Sequence, residues 1–384
     1  MREDADVLAH VPTRRGPTCR PLSTTRPAVP RPAPAVPRHS SGRQRVGVEP
    51  RLVAAMDHHQ GVFATADALA AGVDRDAIGP LLRSGAWRRL RYGVYTTGEV
   101  WRRHEMEGRT HRLECAAVLR RLDRTAVVVS HTSAARLHGL LVPRSADAGV
   151  RLTDPVQFRT GRGYRIAAAA LPPEDVVVQE GLPVTTVTRT LADVGREWPL
   201  ADTVVAVDDA LADRLTTPAQ LRAGALAQTH WVGCGRAARA FSLARVGAHS
   251  PHETLTRLAL LRAGLPEPLL QQAVIVGSRL VAVLDMYWPE HGVFAECDGM
   301  VKYAEPWRGR TAAEVAWQEK RRHDALLDLD LRGVRITPED LRDHWRSKVE
   351  RLSLLLSRGR IAAPRYRTSL WNDGLRPISR AAAG

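Results

Sequence analysis

Three consecutive strand-like runs near the C-terminal end constrain the fold of this chain more than any other feature. The runs are 272–276, 280–287 and 292–297. The loops between them, 277–278 and 289–291, are only long enough for hairpins, so the runs pair as an antiparallel meander. A helical pattern precedes the meander, and a helix and one more strand follow it. This order predicts an α+β core with one buried sheet.

Acidic side chains interrupt the second and third runs. Side chains alternate along a strand, and the hairpin makes the two strands neighbours, so we expect Asp285 and Glu296 to approach each other. Unpaired acids are costly to bury, and Mg²⁺ and Mn²⁺ prefer carboxylate oxygens as ligands. One interpretation is therefore a metal that activates water for attack on a phosphodiester. The alternative is that the acids lie at solvated strand ends and pair with Lys302 or Arg279.

The formal charge of +15 belongs mostly to the two ends of the chain. Residues 1–55 carry ten Arg and four acids, and residues 351–384 carry seven Arg and one acid, so each end contributes +6. Only +3 remains for 56–350, and a nucleic-acid partner has to be argued from local clusters.

One such cluster follows a helix-turn-helix pattern. Thr65 is expected to cap a short helix that ends at Gly72, and Asp74 is expected to cap a second helix, with apolar residues at i, i+3 and i+4. The segment 87–95 then alternates bulky and basic residues, which predicts a small hairpin, or wing. The cations of the second helix and the wing are Arg75, Arg83, Arg88, Arg89 and Arg91. A solvated hairpin face is the alternative account of the wing arginines.

Composition divides the chain into five parts. The Pro- and Arg-rich segment 1–50 is expected to be disordered, either as a basic arm or as an extension upstream of the true start. The other parts are a winged helix over 51–97, a mixed α/β domain over 98–248, an α+β domain over 249–345, and a helix with a basic tail over 346–384.

The segment from His252 to about Trp345 resembles a bacterial domain family related to the very-short-patch repair endonucleases, within the restriction-endonuclease-like superfamily. The resemblance lies in Glu253, the stretches 284–289 and 295–299, and 319–326. It implies a nuclease core whose site has an acid on one strand, then an acid, any residue and a lysine on the next. Asp285 and Glu296 match the acids, but Asp298 stands where the lysine belongs. The candidate catalytic residues are therefore Asp285, Glu296, Asp298, Glu253, and Lys302 or Lys320 in place of the missing lysine.

Two outcomes remain open for this domain. Either it is a metal-dependent DNA endonuclease that holds Mg²⁺ or Mn²⁺ on Asp285 and Glu296, or it keeps the fold without cleavage and has no cofactor. An aspartate at the lysine position cannot neutralise the charge that develops on the phosphate, which favours the second outcome.

The segment 51–97 resembles the N-terminal winged helix of AbiEi-type antitoxins of type IV toxin-antitoxin systems. The resemblance lies in 61–63, 68–72, the helix 78–85 and the hairpin 87–95. It implies a DNA-binding autoregulator whose partners are double-stranded DNA and a cognate toxin that acts without stable contact. The second helix is then expected in the major groove, with Arg75 and Arg83 on phosphates or bases and the wing arginines on the backbone.

Other patterns are weaker. Ser130 could act as a nucleophile and His131 as a base, as in a serine hydrolase. No glycine-flanked turn surrounds the serine, so a helix cap explains these residues better. The four cysteines have no zinc-finger spacing, and no apolar run approaches the roughly 18 residues of a membrane span. These features predict a reducing, cytoplasmic setting without membrane contact.

Overall fold

The computed structural model describes residues 49–298, 312–359 and 364–371. Within these ranges three β-sheets are surrounded by helices, which confirms the predicted α/β class. The extension before residue 49, Lys302 and the tail after residue 371 lie outside the described residues. No helix in the described ranges combines the length and the apolar character needed to cross a bilayer.

The N-terminal elements have the order of a winged helix-turn-helix. Three antiparallel strands form a small sheet of order β1-β3-β2, so the first strand lies beside the second strand of the wing. In chain order the elements are α1 (Pro50–His58), β1 (Phe63–Ala64), α2 (Thr65–Ala70), α3 (Arg75–Arg83), β2 (Trp87–Arg91) and β3 (Val94–Thr97).

The helix caps differ from the prediction. Helix α2 begins at Thr65 itself, and the carboxylate of Asp67 accepts the N–H of Ala64 (2.6 Å) in place of a threonine cap. Asp74 does hold the N-cap position of α3, but its side chain makes no capping hydrogen bond. Gly72 has a φ of +85° just after α2, the left-handed conformation in which helices commonly end.

The middle part is built on a six-stranded mixed sheet of order β6-β7-β5-β4-β9-β8. Its strands are β4 (Val128–Val129), β5 (Val150–Asp154), β6 (Arg159–Gly161), β7 (Tyr164–Ala168), β8 (Val176–Gln179) and β9 (Leu182–Thr185). The helices of this part are α4 (Gly98–Met106), α5 (Thr110–Leu122), α6 (His131–Leu137), α7 (Val187–Gly195), α8 (Leu200–Ala212), α9 (Pro218–Ala227) and α10 (Cys234–Leu243).

One hydrophobic core runs through the winged helix and the six-stranded sheet. Phe63 packs edge-on against Trp87, with 4.7 Å between ring centroids, and the same cluster includes Leu113 of α5, Leu152 of β5 and Ile166 of β7. Helix α5 contacts all three strands of the small sheet and also β5. The winged helix therefore shares its interior with the part of the chain that follows it.

The C-terminal part has the predicted order of helix, three-strand meander, helix and strand. Its sheet has the order β13-β12-β11-β10-β14, with β13 parallel to β12 and the other pairs antiparallel. The elements are α11 (Pro251–Arg262), β10 (Leu269–Val276), β11 (Arg279–Trp288), β12 (Val293–Cys297), α12 (Ala312–Leu327), β13 (Arg332–Ile336), a π-helical turn (Asp340–His344), α13 (Trp345–Ser357) and β14 (Arg367–Leu370). Strand β14 comes from the predicted basic tail and gains its structure by pairing with β10.

The two faces of this sheet carry separate cores. One cluster, with Met286 and Ala295, packs against α11 and α13, and the other, with Leu284 and Tyr287, packs against α12. Leu284 and Tyr287 are three residues apart yet face the same cluster, so the strict alternation expected along β11 is wrong. The pleat is broken around Asp285, and this break decides where the acids point.

Candidate functional site

Helix α3 has an exposed arginine at each end and one exposed acid, Asp76, in its first turn. Ile78 is buried in the core, whereas Arg75 and Arg83 are exposed at either end of the helix. Gly79 lies between them, and a Cβ there would come 3.3 Å from Nη1 of Arg83, so the guanidinium lies over this glycine. The helix therefore offers a narrow surface with a cation at each end.

The wing holds two of its arginines on aromatic rings. The guanidinium of Arg88 lies 3.7 Å from the ring centroid of Trp101, and that of Arg89 lies 5.8 Å from the ring centroid of Tyr95. Both arginines are exposed, and the aromatic contacts orient the guanidinium groups without neutralising their charge. A phosphate group can therefore pair with them.

Arg91 is engaged differently. Its Nη1 donates to the carbonyl oxygen of Arg162 (2.5 Å) and its Nη2 to that of Gly163 (3.0 Å). A guanidinium with two nitrogens on backbone carbonyls has little left for a DNA phosphate. Arg91 therefore has a different role from Arg88 and Arg89: it joins the wing to the middle sheet.

A buried acid pair lies between α11 and the meander. The Nε2 atom of Gln271 donates to Oε2 of Glu253 (3.1 Å) and to Oδ1 of Asp285 (3.3 Å). Asp285 also accepts the backbone N–H of Cys297 (2.8 Å). The carboxylate of Glu253 accepts hydrogen bonds from the hydroxyl of Ser250 and from the backbone N–H of His249. The structure therefore brings Asp285 together with Glu253.

The environment of Glu253 favours its protonated form. Burial, followed by the negative charge of Asp285, raises the pKa of Glu253 to about 7. Gln271 reaches both carboxylates from a backbone φ of +46°, which an L-residue adopts only at a cost. Sequence reasoning missed Gln271, because no local pattern distinguishes a bridging glutamine from an ordinary polar strand residue.

Glu296 belongs to a different group on the α12 side of the sheet. Its carboxylate receives two hydrogen bonds from Arg322 of α12 (2.6 and 2.9 Å). Arg335 of β13 pairs with Asp298 (3.0 Å) and with Glu319 (2.7 Å). Among the residues that the structure describes, Glu296 and Asp285 share no hydrogen-bond partner.

A cavity of about 450 Å³ opens beside this charged group. Lys320, one of the two predicted lysine substitutes, lines it together with Glu296 and His323. The other, Lys302, is not among the described residues. Lys320 is therefore near one predicted acid, on the opposite side of the sheet from the Glu253–Asp285 pair.

The residues do not fit the predicted Mg²⁺ or Mn²⁺ ion. Arg322 occupies both oxygens of Glu296, and the amide N–H₂ of Gln271 stands where a cation would bridge Glu253 and Asp285. No group of three or more candidate ligands occurs within the described ranges.

The serine and histidine before α6 are buried. The Ser130 hydroxyl lies 2.8 Å from Nδ1 of His131 and receives a hydrogen bond from Thr153 (2.7 Å), and it makes no capping bond to the helix. The expected cap is therefore wrong in detail. Burial lowers the pKa of His131 to about 4 and leaves no route for a substrate to the hydroxyl. These residues have a structural role.

Comparison with known proteins gives no assignment. No protein-family model matches the chain, and no curated protein matches it. Among solved structures, the chain is similar to the crystal structure of the RV2827C protein from Mycobacterium tuberculosis, with 17% identity and a TM-score of 0.35 over 58% of this chain and 82% of that one. A similarity of this size supports no conclusion about function.

Proposed function

We propose that this protein binds double-stranded DNA through its winged helix and acts as an operator-binding regulator of the antitoxin type. The observation that carries the proposal is the exposed arginine surface of α3 and the wing. Arg75, Arg83, Arg88 and Arg89 are all exposed, and none forms a salt bridge within the described part of the chain.

The dimensions of α3 suit the major groove. An α-helix with its side chains is about 10–12 Å in diameter and fits a major groove about 12 Å wide, and the nine residues of α3 give it a length of about 13 Å. Arg75 and Arg83 lie eight residues apart, so about 12 Å separates them along the axis. This spacing lets one arginine reach a base edge while the other holds a phosphate, with Arg88 and Arg89 on the flanking backbone.

Two pairs of substitutions separate base reading from phosphate contact. Binding is measured on DNA from the region upstream of the gene and on an unrelated duplex, over a range of salt concentrations. Arg88→Ala with Arg89→Ala is expected to weaken both equally and to lower the slope of log K against log salt by about 1.8. Arg75→Ala with Arg83→Ala is expected to reduce the preference for the upstream DNA by about 1–3 kcal/mol for each lost bidentate base contact.

A matched control removes two exposed arginines elsewhere. Arg222 of α9 and Arg239 of α10 are exposed, and α9 contacts α7 and α10. Arg222→Ala with Arg239→Ala has the same change in net charge. If the α3 and wing variants bind as this control does, the assignment of the surface is refuted.

The endonuclease predicted from the sequence stays a prediction. Its cation would have to displace Arg322 from Glu296 or Gln271 from the Glu253–Asp285 pair. Incubation of supercoiled plasmid with the protein and Mg²⁺ or Mn²⁺ tests it directly. Nicking that Asp285→Ala abolishes would establish cleavage, and we expect the plasmid to remain supercoiled.

A further inference from the structure

A second basic hairpin lies directly against the wing. Strands β6 and β7 form the outer edge of the six-stranded sheet, and their turn contains Arg162 and Gly163. The two carbonyls of this turn are the acceptors of Arg91. More than seventy residues separate the wing from this turn in the chain, and this bidentate contact joins them into one surface.

Close backbone approach fixes the hairpin in this position. Gly163 has a φ of +71°, and a Cβ there would lie 2.8 Å from Nη1 of Arg91. Gly161 lies under the ring of Tyr164, where a Cβ would come within 2.2 Å of the ring. Tyr164 in turn packs against the shared core. The tip of the hairpin is therefore held by packing and by Arg91.

The hairpin carries cations and no acid. The stretch 155–173 contains three arginines and neither Asp nor Glu. Arg159 and Arg162 are exposed, and neither makes a salt bridge among the described residues. Arg165 is exposed and lies 5.6 Å from the ring centroid of Phe158, which is itself 61% exposed. Together the wing and this hairpin contain six arginines and no acid, and all of them except Arg91 are exposed.

Protection of a sheet edge explains only part of this pattern. Charged residues on an edge strand prevent pairing with other chains, and β6 is an edge strand. Protection of the edge strand does not require Arg91 of the wing to hold the turn in place. It also does not require glycines at both points of close approach. The observations fit better a single surface in which the wing and the β6–β7 hairpin are held in a fixed position relative to each other.

We propose that the β6–β7 hairpin is a second backbone-binding element, which contacts phosphates of the same DNA duplex that α3 and the wing engage. This inference rests on the proposed function. Arg159 and Arg162 are the contacting residues, and about 10 Å of extended chain between them allows them to reach different phosphates. Arg91 is a positioning residue, because it places the hairpin and does not itself touch DNA.

The test compares salt dependence in matched double variants of the full chain. Arg159→Ala with Arg162→Ala is expected to lower the slope of log K against log salt by about 1.8, equally on upstream and unrelated DNA. Between 50 and 200 mM salt the wild type should then lose about 12-fold more affinity than this variant. The control with Arg222→Ala and Arg239→Ala should keep the wild-type slope.

Arg91 gives an independent readout. In an Arg91→Ala background the contact between the turn and the wing is lost and only packing holds the hairpin, so removal of Arg159 and Arg162 should change the slope by clearly less than about 1.8. An unchanged effect in that background contradicts the positioning role.

The outcomes separate the two proposals. If the hairpin variant has the slope of the control while Arg75→Ala with Arg83→Ala still weakens binding, the hairpin inference is overturned and the proposed function stands. If the wild-type protein shows no salt-dependent binding to either duplex, both are overturned.

Discussion

Substitution of Glu253 by Gln should remove a pH dependence that this buried acid gives to the stability of the fold. Burial and the charge of Asp285 raise the pKa of Glu253 from the ordinary 4.5 to about 7. Between these two values the folded protein binds a proton that the unfolded chain has released. The free energy of unfolding therefore falls as pH rises through this window.

The size of this change in the free energy of unfolding follows from the difference between the two pKa values. At 1.36 kcal/mol for each pH unit, the wild type should lose about 3 kcal/mol of stability between pH 4.5 and pH 7 through this one group. A glutamine keeps the hydrogen bonds, because its carbonyl can accept from Gln271 and its amide can donate to Ser250. Glu253→Gln should therefore fold normally and lack this loss.

Urea unfolding of both proteins at several pH values between 4.5 and 8 measures the effect. Titrating groups away from the Glu253–Asp285 pair, such as His131, are common to both proteins and cancel in the difference between them. The exposed Glu290 serves as a control, since Glu290→Gln makes the same chemical change outside the core. A wild-type minus variant difference that is the same at pH 5 and pH 8 would refute the reasoning.

Two further substitutions test packing. Arg257 is fully buried and donates to Asp208 (2.8 Å), so Arg257→Ala should lower the free energy of unfolding by about 3–5 kcal/mol, as measured by urea unfolding. Gly98→Ala places a Cβ 2.2 Å from the carbonyl oxygen of Gly85 and should cost about 1–3 kcal/mol by thermal or urea unfolding. A wild-type midpoint for either single variant contradicts the corresponding contact.

The elements of this fold were largely predictable because their signals are local. The apolar spacing around Ile78 and the alternation of 87–95 give a helix and a wing without knowledge of the rest of the chain. Short loops at 277–278 and 289–291 force the meander in the same way. Strand β14 lacked such a signal, since Arg367–Leu370 becomes a strand only by pairing with β10.

The partners of charged residues were not predictable because they depend on distant segments and on small breaks in regular geometry. A regular pleat would set Asp285 beside Glu296, but the break after Leu284 turns Asp285 toward α11, where Glu253 and Gln271 lie. Glu296 then finds Arg322, twenty-six residues later. The role of Arg91 was not predictable for the same reason, because its hydrogen-bond acceptors lie more than seventy residues away in the chain.

The shared core gives the proposed DNA surface its rigidity. The wing is bound to the β6–β7 hairpin through Arg91, β7 pairs with β5, and residues of both sheets pack in one cluster with Phe63 and Ile166. Interiors packed this closely resist deformation, so the arginines of wing and hairpin keep their spacing in the free protein. DNA binding by the proposed surface would then order fewer groups than binding by a flexible basic arm, and more of the electrostatic attraction would appear as affinity. The charge of the proposed surface is therefore underestimated when only the winged helix is counted. Of the six arginines in the wing and the β6–β7 hairpin, three lie beyond residue 150.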